Sequence, residues 1–393
     1  MEDPISPFPF GKVAWADTFI DRTDERKRLA TNARSRVNTA LISPRRWGKT
    51  SLVRQVAHDL RRDRKVRFCF IDLFKVRTEQ AFFETLAAEV VRATSDKWEE
   101  RLRTVKEFLK NLVPFIQFGT EPTSEITLNI RWEDLQRSKD DILALPERIA
   151  GKRGITLVVC IDEFQNVERF GDPLGFQKYL RATWQHQRHV AYWLYGSKRH
   201  LMMDIFTRYD MPFYRFGDLM MLGKIGRAHW VTYLQERFRS GRKTISPELA
   251  DRLAATMDDH PYGVQQLAYG TFIESGKRCT GADIDNALQR LLDHHGMLYQ
   301  RIVDDLSNPQ LNYLRALLAG EPKPSSKEAL RHYGLGTSGN VNRIKAALQD
   351  KDLLDLTGKE PEWLDPLFRI WLRERYWTAH ELRPLERTPK GTR

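Results

Sequence analysis

The sequence predicts an α/β core, a parallel sheet with helices on both faces, followed by a helical domain and a terminal winged helix-turn-helix. Three observations carry this. Up to about residue 197, continuous apolar runs alternate with amphipathic stretches, the pattern of buried parallel strands joined by crossover helices. After Gly223 the periodic segments are all helical. From Asn308, three short helical stretches precede a brief β-like run, the outline of a winged helix. The expected domains are 1–222, 223–306 and 307–393.

The elements follow in order. "VNTALIS" (37–43) is the first strand, and "KTSLVRQVAHDLRR" (49–62) puts Leu52, Val53, Val56, Ala57 and Leu60 at helical spacing. "VRFCFIDL" (66–73) is a short apolar run bounded by charge, and "EQAFFETLAAEVVRA" (79–93) an amphipathic helix. "PFIQFGTEPTSEITLNIRW" (114–132) breaks the rhythm and reads as an inserted β-hairpin or loop. "DILALPERIAGKRG" (141–154) is helical, "ITLVVCIDEF" (155–164) is the most apolar strand, and "HVAYWLYGS" (189–197) is another. Helices are expected over 226–240, 246–257, 261–275 and 281–306, with Ser246-Pro247 and Gly281 as starts. The last unit reads as helices 309–319, 326–333 and 340–350, ended by "LLDLTG". Ser338 or Asn340 would cap the last of these.

Composition bounds the function. With 41% hydrophobic and 11% aromatic residues, the chain buries a core. No apolar run approaches a membrane span. The segment "MEDPISPFPF" lacks the basic and apolar regions of a secretion signal. Cys69, Cys160 and Cys279 lie far apart with no CxxC pair, so neither zinc nor a disulfide framework is expected, and a cytoplasmic setting fits. The net charge of +12 is uneven: Asp21 to Arg67 holds 15 Lys/Arg against 5 Asp/Glu. Such a zone suits nucleic acid, nucleotide phosphates or acidic proteins, or is a set of solvated helix faces.

Two motifs carry chemistry. "SPRRWGKTSL" (43–52) follows a strand and opens a helix, the setting of a phosphate-binding P-loop, GxxxxGK[ST]. Gly48 lets successive N–H groups turn toward a phosphate. Lys49 offers a cation to the β and γ oxygens, Thr50 a hydroxyl to Mg²⁺, and the helix N-terminus adds partial positive charge. Ser43 stands where the motif has its first glycine, tolerable where φ need not be positive. The expected nucleotide-binding run is Ser43, Pro44, Arg45, Arg46, Trp47, Gly48, Lys49, Thr50 and Ser51. The strand "LVVCIDEF" (157–164) ends in Asp162, expected to hold Mg²⁺ through water, and Glu163, expected to polarise the attacking water. After the next strand, Ser197 of "YGSKRH" either reaches the γ-phosphate and lytic water or caps the following helix. Lys49, Glu163 and Ser197 form the expected catalytic set. Both motifs on separate apolar strands define a P-loop NTPase core. Adjacent His294 and His295 point about 100° apart on a helix and do not suggest a metal site.

With "FIDRTDERKRL" (19–29), "PFYRFGDLMML" (212–222) and "HPYGVQQLA" (260–268) added in order, the chain resembles the archaeal-type ATPases of the AAA+/STAND group, relatives of the origin-recognition ATPases. The resemblance spans roughly 13–377. It implies that "FIDRTDE" lies over the adenine, with Arg22 and Glu25 matching the family's G-R-E-x-E segment and Asp21 and Thr23 departing from it. It implies that Pro261 packs near the base, with Asp259 where glycine is usual. It places Arg215 one position before the family's arginine, where a surface role is the simpler reading.

The function expected is an ATPase, slow or fast, working as a nucleotide-controlled switch whose winged helix presents Asn342, Arg343 and Lys345 to double-stranded DNA. Residues 308–357 carry only 7 Lys/Arg against 5 Asp/Glu, thin for a DNA reader. The alternative is a STAND-type signalling or scaffold NTPase gating an effector protein, for instance in a defence system. Self-association fits either. A metabolic kinase is disfavoured by the lack of a small-substrate motif.

Overall fold

A computed structural model describes residues 6–14, 18–95, 100, 103–104, 107–108, 116–118, 126–128 and 132–385. The chain forms two compact units: residues 13–223, and residues 224–393 together with the N-terminal residues to 12.

The first unit is built on a parallel sheet of β1 (Thr39–Ile42), β2 (Val66–Asp72), β5 (Thr156–Asp162), β6 (Val190–Gly196) and β7 (Asp218–Met221), in the order β2-β5-β6-β1-β7. Helices α1 (Thr23–Ser35) and α2 (Lys49–Asp59) belong to one face, and α3 (Glu79–Thr94), α4 (Trp132–Arg153), α5 (Pro173–Trp184) and α6 (Arg199–Thr207) to the other. Successive side chains of a strand point to opposite faces. Val158 and Cys160 of β5 therefore pack with Leu29, Leu52 and Val56, while Leu157, Val159 and Ile161 pack with Phe82, Leu86 and Ile149. Both faces are covered, which is why β5 and β6 read as unbroken apolar runs. Cys69 and Cys160 are buried within this sheet as free thiols.

The interrupting stretch contains an antiparallel pair, β3 (Ile116–Phe118) with β4 (Ile126–Leu128); its other residues lie outside the described ones, apart from Trp132. That residue opens α4, which starts earlier than the expected 141 and runs through Pro146.

The second unit holds α7 (Arg227–Ser240), α8 (Pro247–Thr256), α9 (Pro261–Glu274) and α10 (Gly281–Asp304), then α11 (Asn308–Leu318), α12 (Lys327–His332), α13 (Ser338–Asp350), the short pair β8 (Leu354–Asp355) and β9 (Glu362–Trp363), and α14 (Pro366–Trp371). Ser246 accepts the Leu249 N–H to start α8, and Thr280 and Asp283 form a reciprocal capping box on α10. The start of α13 differs from expectation. Thr337, not Ser338 or Asn340, accepts the Asn340 N–H at 3.2 Å, because Thr337 is the last residue in extended backbone. The Asn340 side chain turns back to the Leu335 carbonyl instead.

Two groupings depart from the expected domains. Residues 6–12, assigned by sequence to the ATPase core, pack in the second unit: Phe8 sits among Tyr233, Phe238 and Phe272, with ring centroids 5.5–6.3 Å apart. The aromatic residues near the C-terminus, assigned by sequence to the 307–393 domain, pack on α10 of the 223–306 stretch. Tyr299 packs against Phe368 and Trp371, and its hydroxyl donates to Asp365 at 3.2 Å. Among the described residues no helix is long and apolar enough to cross a membrane.

Candidate nucleotide site

In the first unit β6 lies between β1 and β5. The carboxyl ends of three neighbouring strands therefore deliver the 43–48 loop, Ser197, and the Asp162-Glu163 pair side by side. Crevices at such strand ends are where open α/β sheets bind ligands.

The loop leaves β1 through Ser43 and Pro44, both buried, exposes Arg45 and Arg46, and re-enters at buried Trp47. Gly48 adopts φ 91° and brings no side chain to cap α2, so the first N–H groups of the helix face the loop. Ser43 is not among the residues with positive φ, so serine costs nothing in backbone strain there. Lys49 is 5% exposed, and its ammonium donates to the carbonyls of Ser43 at 3.0 Å and Pro44 at 2.9 Å. Burial lowers its pKa to about 8, against the pull of Glu163 and Asp162.

Thr50 on α2 donates its hydroxyl to Asp162 at 2.7 Å. The other Asp162 oxygen accepts the Glu163 N–H at 2.9 Å. Burial pushes the Asp162 carboxyl up to about 6; the neighbouring Glu163 charge adds to this, while the Thr50 hydrogen bond and Lys49 oppose it. Glu163 sits at φ 53°, a left-handed conformation that a glutamate rarely adopts. Its carboxylate accepts from the Ser197 hydroxyl at 2.7 Å, from the Ser197 N–H at 3.3 Å, and from the Gln165 amide. Backbone strain held by surrounding bonds is a feature of functional sites.

Ser197 thus touches Glu163 and does not cap α6, whose N-cap is Lys198. Gln165 was missed by sequence reasoning; its only signal is a polar residue two places beyond the acidic pair. It fits because Gly196 has no Cβ, which would lie 1.9 Å from the Gln165 amide oxygen.

Arg22 is buried. It donates to Glu25 at 3.2 Å, to the Gly223 carbonyl at 2.7 Å and to the Trp47 carbonyl at 3.5 Å. Its shortest bond ties the start of α1 to Gly223, with a longer contact to the loop at Trp47. Ser51 accepts the Ala14 N–H at 3.1 Å. Pro261 lies in the second unit, buried at the first position of α9, and His260 caps that helix by accepting the Gly263 N–H. Asn342 and Arg343 are exposed on α13, Lys345 is half-buried, and Arg343 lines an open depression of about 420 Å³ with Gly336, Thr337, Gly339 and Asn340. His295 meets Gln266 at 2.9 Å. Among the described residues no cluster of three or more His, Cys, Asp or Glu is placed to hold a metal.

A five-stranded parallel sheet with the glycine-lysine-threonine loop after β1 and the acidic pair after β5 defines a P-loop ATPase fold. Solved structures with this fold include a Walker-type ATPase of Pyrococcus abyssi, 18% identical, covering 93% of this chain and 99% of its own at TM-score 0.62. The ORC2 protein of Aeropyrum pernix, solved as ADPNP-ADP complexes, is 16% identical over 92% of this chain and 94% of its own, with TM-score 0.55. Its ADP form gives 16% identity, 89% and 92% coverage and TM-score 0.51. The family model "Probable winged helix domain" matches residues 297–374. A search of curated proteins finds no match. The fold is the one the resemblance implied: a P-loop core, a helical domain and a C-terminal winged helix.

Proposed function

We propose that this chain binds and hydrolyses ATP with Mg²⁺ and acts as a nucleotide-controlled switch, its winged helix engaging duplex DNA. The observation that carries the reading is the pair of 2.7 Å hydrogen bonds, Thr50 to Asp162 and Ser197 to Glu163, beside the Lys49 loop. In this reading the loop N–H groups and Lys49 hold the phosphates. The Thr50 hydroxyl and Asp162 carboxylate are hard oxygen donors and fit magnesium, which takes one or two protein oxygens and fills its shell with phosphate and water; a three-residue protein cluster is not required. When bound, that ion neutralises charge on the phosphates. Glu163 polarises the attacking water, and Ser197 orients Glu163.

DNA engagement is supported by the exposed Asn342 and Arg343 on α13. The effector-gating alternative is supported by the weak charge of 308–357 and by the docking of α14 on α10. Self-association belongs to either reading.

One experiment tests the nucleotide site. Lys49→Ala is expected to lose ATP binding, and Glu163→Gln to retain binding while turnover falls at least about a hundredfold, the scale of general-base contributions. ATP affinity by titration and steady-state phosphate release are the measurements. Native affinity in Lys49→Ala, or native turnover in Glu163→Gln, removes the assignment.

A further inference from the structure

We propose that the amino-terminal end of the parallel sheet, opposite the nucleotide loop, is a docking surface for the sugar-phosphate backbone of duplex DNA. The segments that enter β1, β2, β5 and β6 are residues 34–38, 60–65, 151–155 and 185–189, and they hold nine Lys/Arg and one carboxylate of their own, Asp63; from neighbouring elements Glu107 pairs with Lys152, Glu100 with Arg153 and Glu147 with His189. This accounts for much of the basic bias between Asp21 and Arg67, which the nucleotide loop does not use.

These segments are adjacent through hydrogen bonds. The Lys65 carbonyl accepts from the Thr156 N–H at 2.7 Å. Arg36 donates to the Thr156 hydroxyl at 3.1 Å and to the Arg188 carbonyl at 3.3 Å. Asp63 is occupied, with Arg34 at 3.4 Å and the Lys65 N–H at 3.1 Å. Arg36, Arg62, Arg64, Lys65 and Arg188 are exposed, and among the described residues no carboxylate pairs with any of them. Five exposed cations whose side chains have no carboxylate partner, on the ends of adjacent strands, favour a polyanion that covers them.

The chemistry selects the polyanion. Four of the five are arginines, whose fork matches phosphate. The four strands span about 14 Å at their usual spacing, a length over which duplex DNA presents about eight phosphates. The segments carry no Phe, Tyr or Trp, so they lack the stacking platform of single-strand binders and the apolar anchor of a membrane-surface element. Binding here would read backbone charge and not sequence. The choice of DNA rests on the proposed winged-helix partner; the residues are separate.

The test uses the full chain with a random-sequence duplex, followed by fluorescence anisotropy across 50–200 mM salt, on Arg62→Gln/Arg64→Gln/Lys65→Gln and, separately, on Arg343→Ala/Lys345→Ala. The triple variant is expected to lose about tenfold or more in affinity at 0.1 M salt, with the slope of log K against log salt shallower by about two to three. Its ATP affinity and thermal unfolding should match the native chain. Native-like affinity and slope in the triple variant overturn the proposal, as does absence of duplex binding by the native chain at low salt. Loss confined to phosphatidylserine vesicles or to duplex RNA, with DNA unaffected, also overturns it. A failure of the winged-helix reading shows differently: Arg343→Ala/Lys345→Ala then binds like the native chain while the triple variant still loses affinity.

Discussion

Removing one hydroxyl tests how the acidic pair works. Ser197→Ala deletes the 2.7 Å hydrogen bond to Glu163 but leaves the Ser197 N–H and Gln165 contacts to the same carboxylate oxygen. Hydrogen bonds to charged groups contribute about 1.5–3 kcal/mol. With two donors remaining and Glu163 part-exposed, the lower end applies, about 1.5 kcal/mol. If that energy holds Glu163 where it must act, turnover falls about tenfold, since about 1.4 kcal/mol is a decade in rate. The assay is steady-state ATP hydrolysis with kcat and KM resolved, and nucleotide affinity measured apart. Ser197 acts through Glu163, so kcat should fall while KM and affinity stay put. Ser197→Thr, which keeps the hydroxyl, should restore most of the loss. In a Glu163→Gln background the same deletion should add little, because coupled residues are not additive. A raised KM with native kcat, or the full tenfold loss on top of Glu163→Gln, refutes a positioning role.

The remaining predictions concern stability. Burial places Asp162 near 6 in the folded chain against an ordinary 3.8, so the native state binds the proton more tightly than the unfolded one. Asp162 therefore adds stability at low pH that is lost as pH rises from about 4 to 6, a swing on the order of 3 kcal/mol. Asp162→Asn should raise Tm by several degrees at pH 7.5, without nucleotide or magnesium, and by little at pH 4; an equal shift at both pH values rejects this. Phe8, 3% exposed among Tyr233, Phe238 and Phe272, should cost about 3 kcal/mol when cut to alanine. Faster hydrogen exchange in α7 and α9 would register it, and unchanged exchange would deny the packing.

What could be read from the sequence follows from what each signal depends on. Strands β5 and β6 were legible because burial on both faces forces unbroken apolar runs, and Asp162 and Glu163 were legible as their ends. Lys49 and Thr50 were legible because the P-loop pattern sets residue types at fixed spacing between a strand and a helix. Gln165 was not, because its place beside Glu163 depends on Gly196 being across from it, a contact between two chain segments. The seat of Phe8 was hidden for the same reason: "SPFPF" has no period, and its partners lie more than 220 residues away. The cap of α13 was misplaced by one position for Ser338 and three for Asn340, because Thr337, Ser338 and Asn340 are all good caps and only backbone conformation separates them.

The three glycine departures sort by backbone angle. Ser43 lacks positive φ and needs no compensation. Asp21 and Asp259 stand at φ 49° and 55°, the left-handed region that glycine enters freely. Aspartate is among the few residues that tolerate it. At Asp259 a second force acts: Arg227 donates two hydrogen bonds to its carboxylate, one at 3.0 Å, fixing the turn before α9 that carries His260 and Pro261. A glycine there would relieve the backbone and lose the ion pair. Asp259 thus trades the backbone ease of glycine for an ion pair with Arg227 that holds the turn. The same reasoning separates the loop from the turns: at Gly48, φ 91° lies farther from the left-handed helical well that aspartate can occupy, so of these positions it is the one where glycine itself is required.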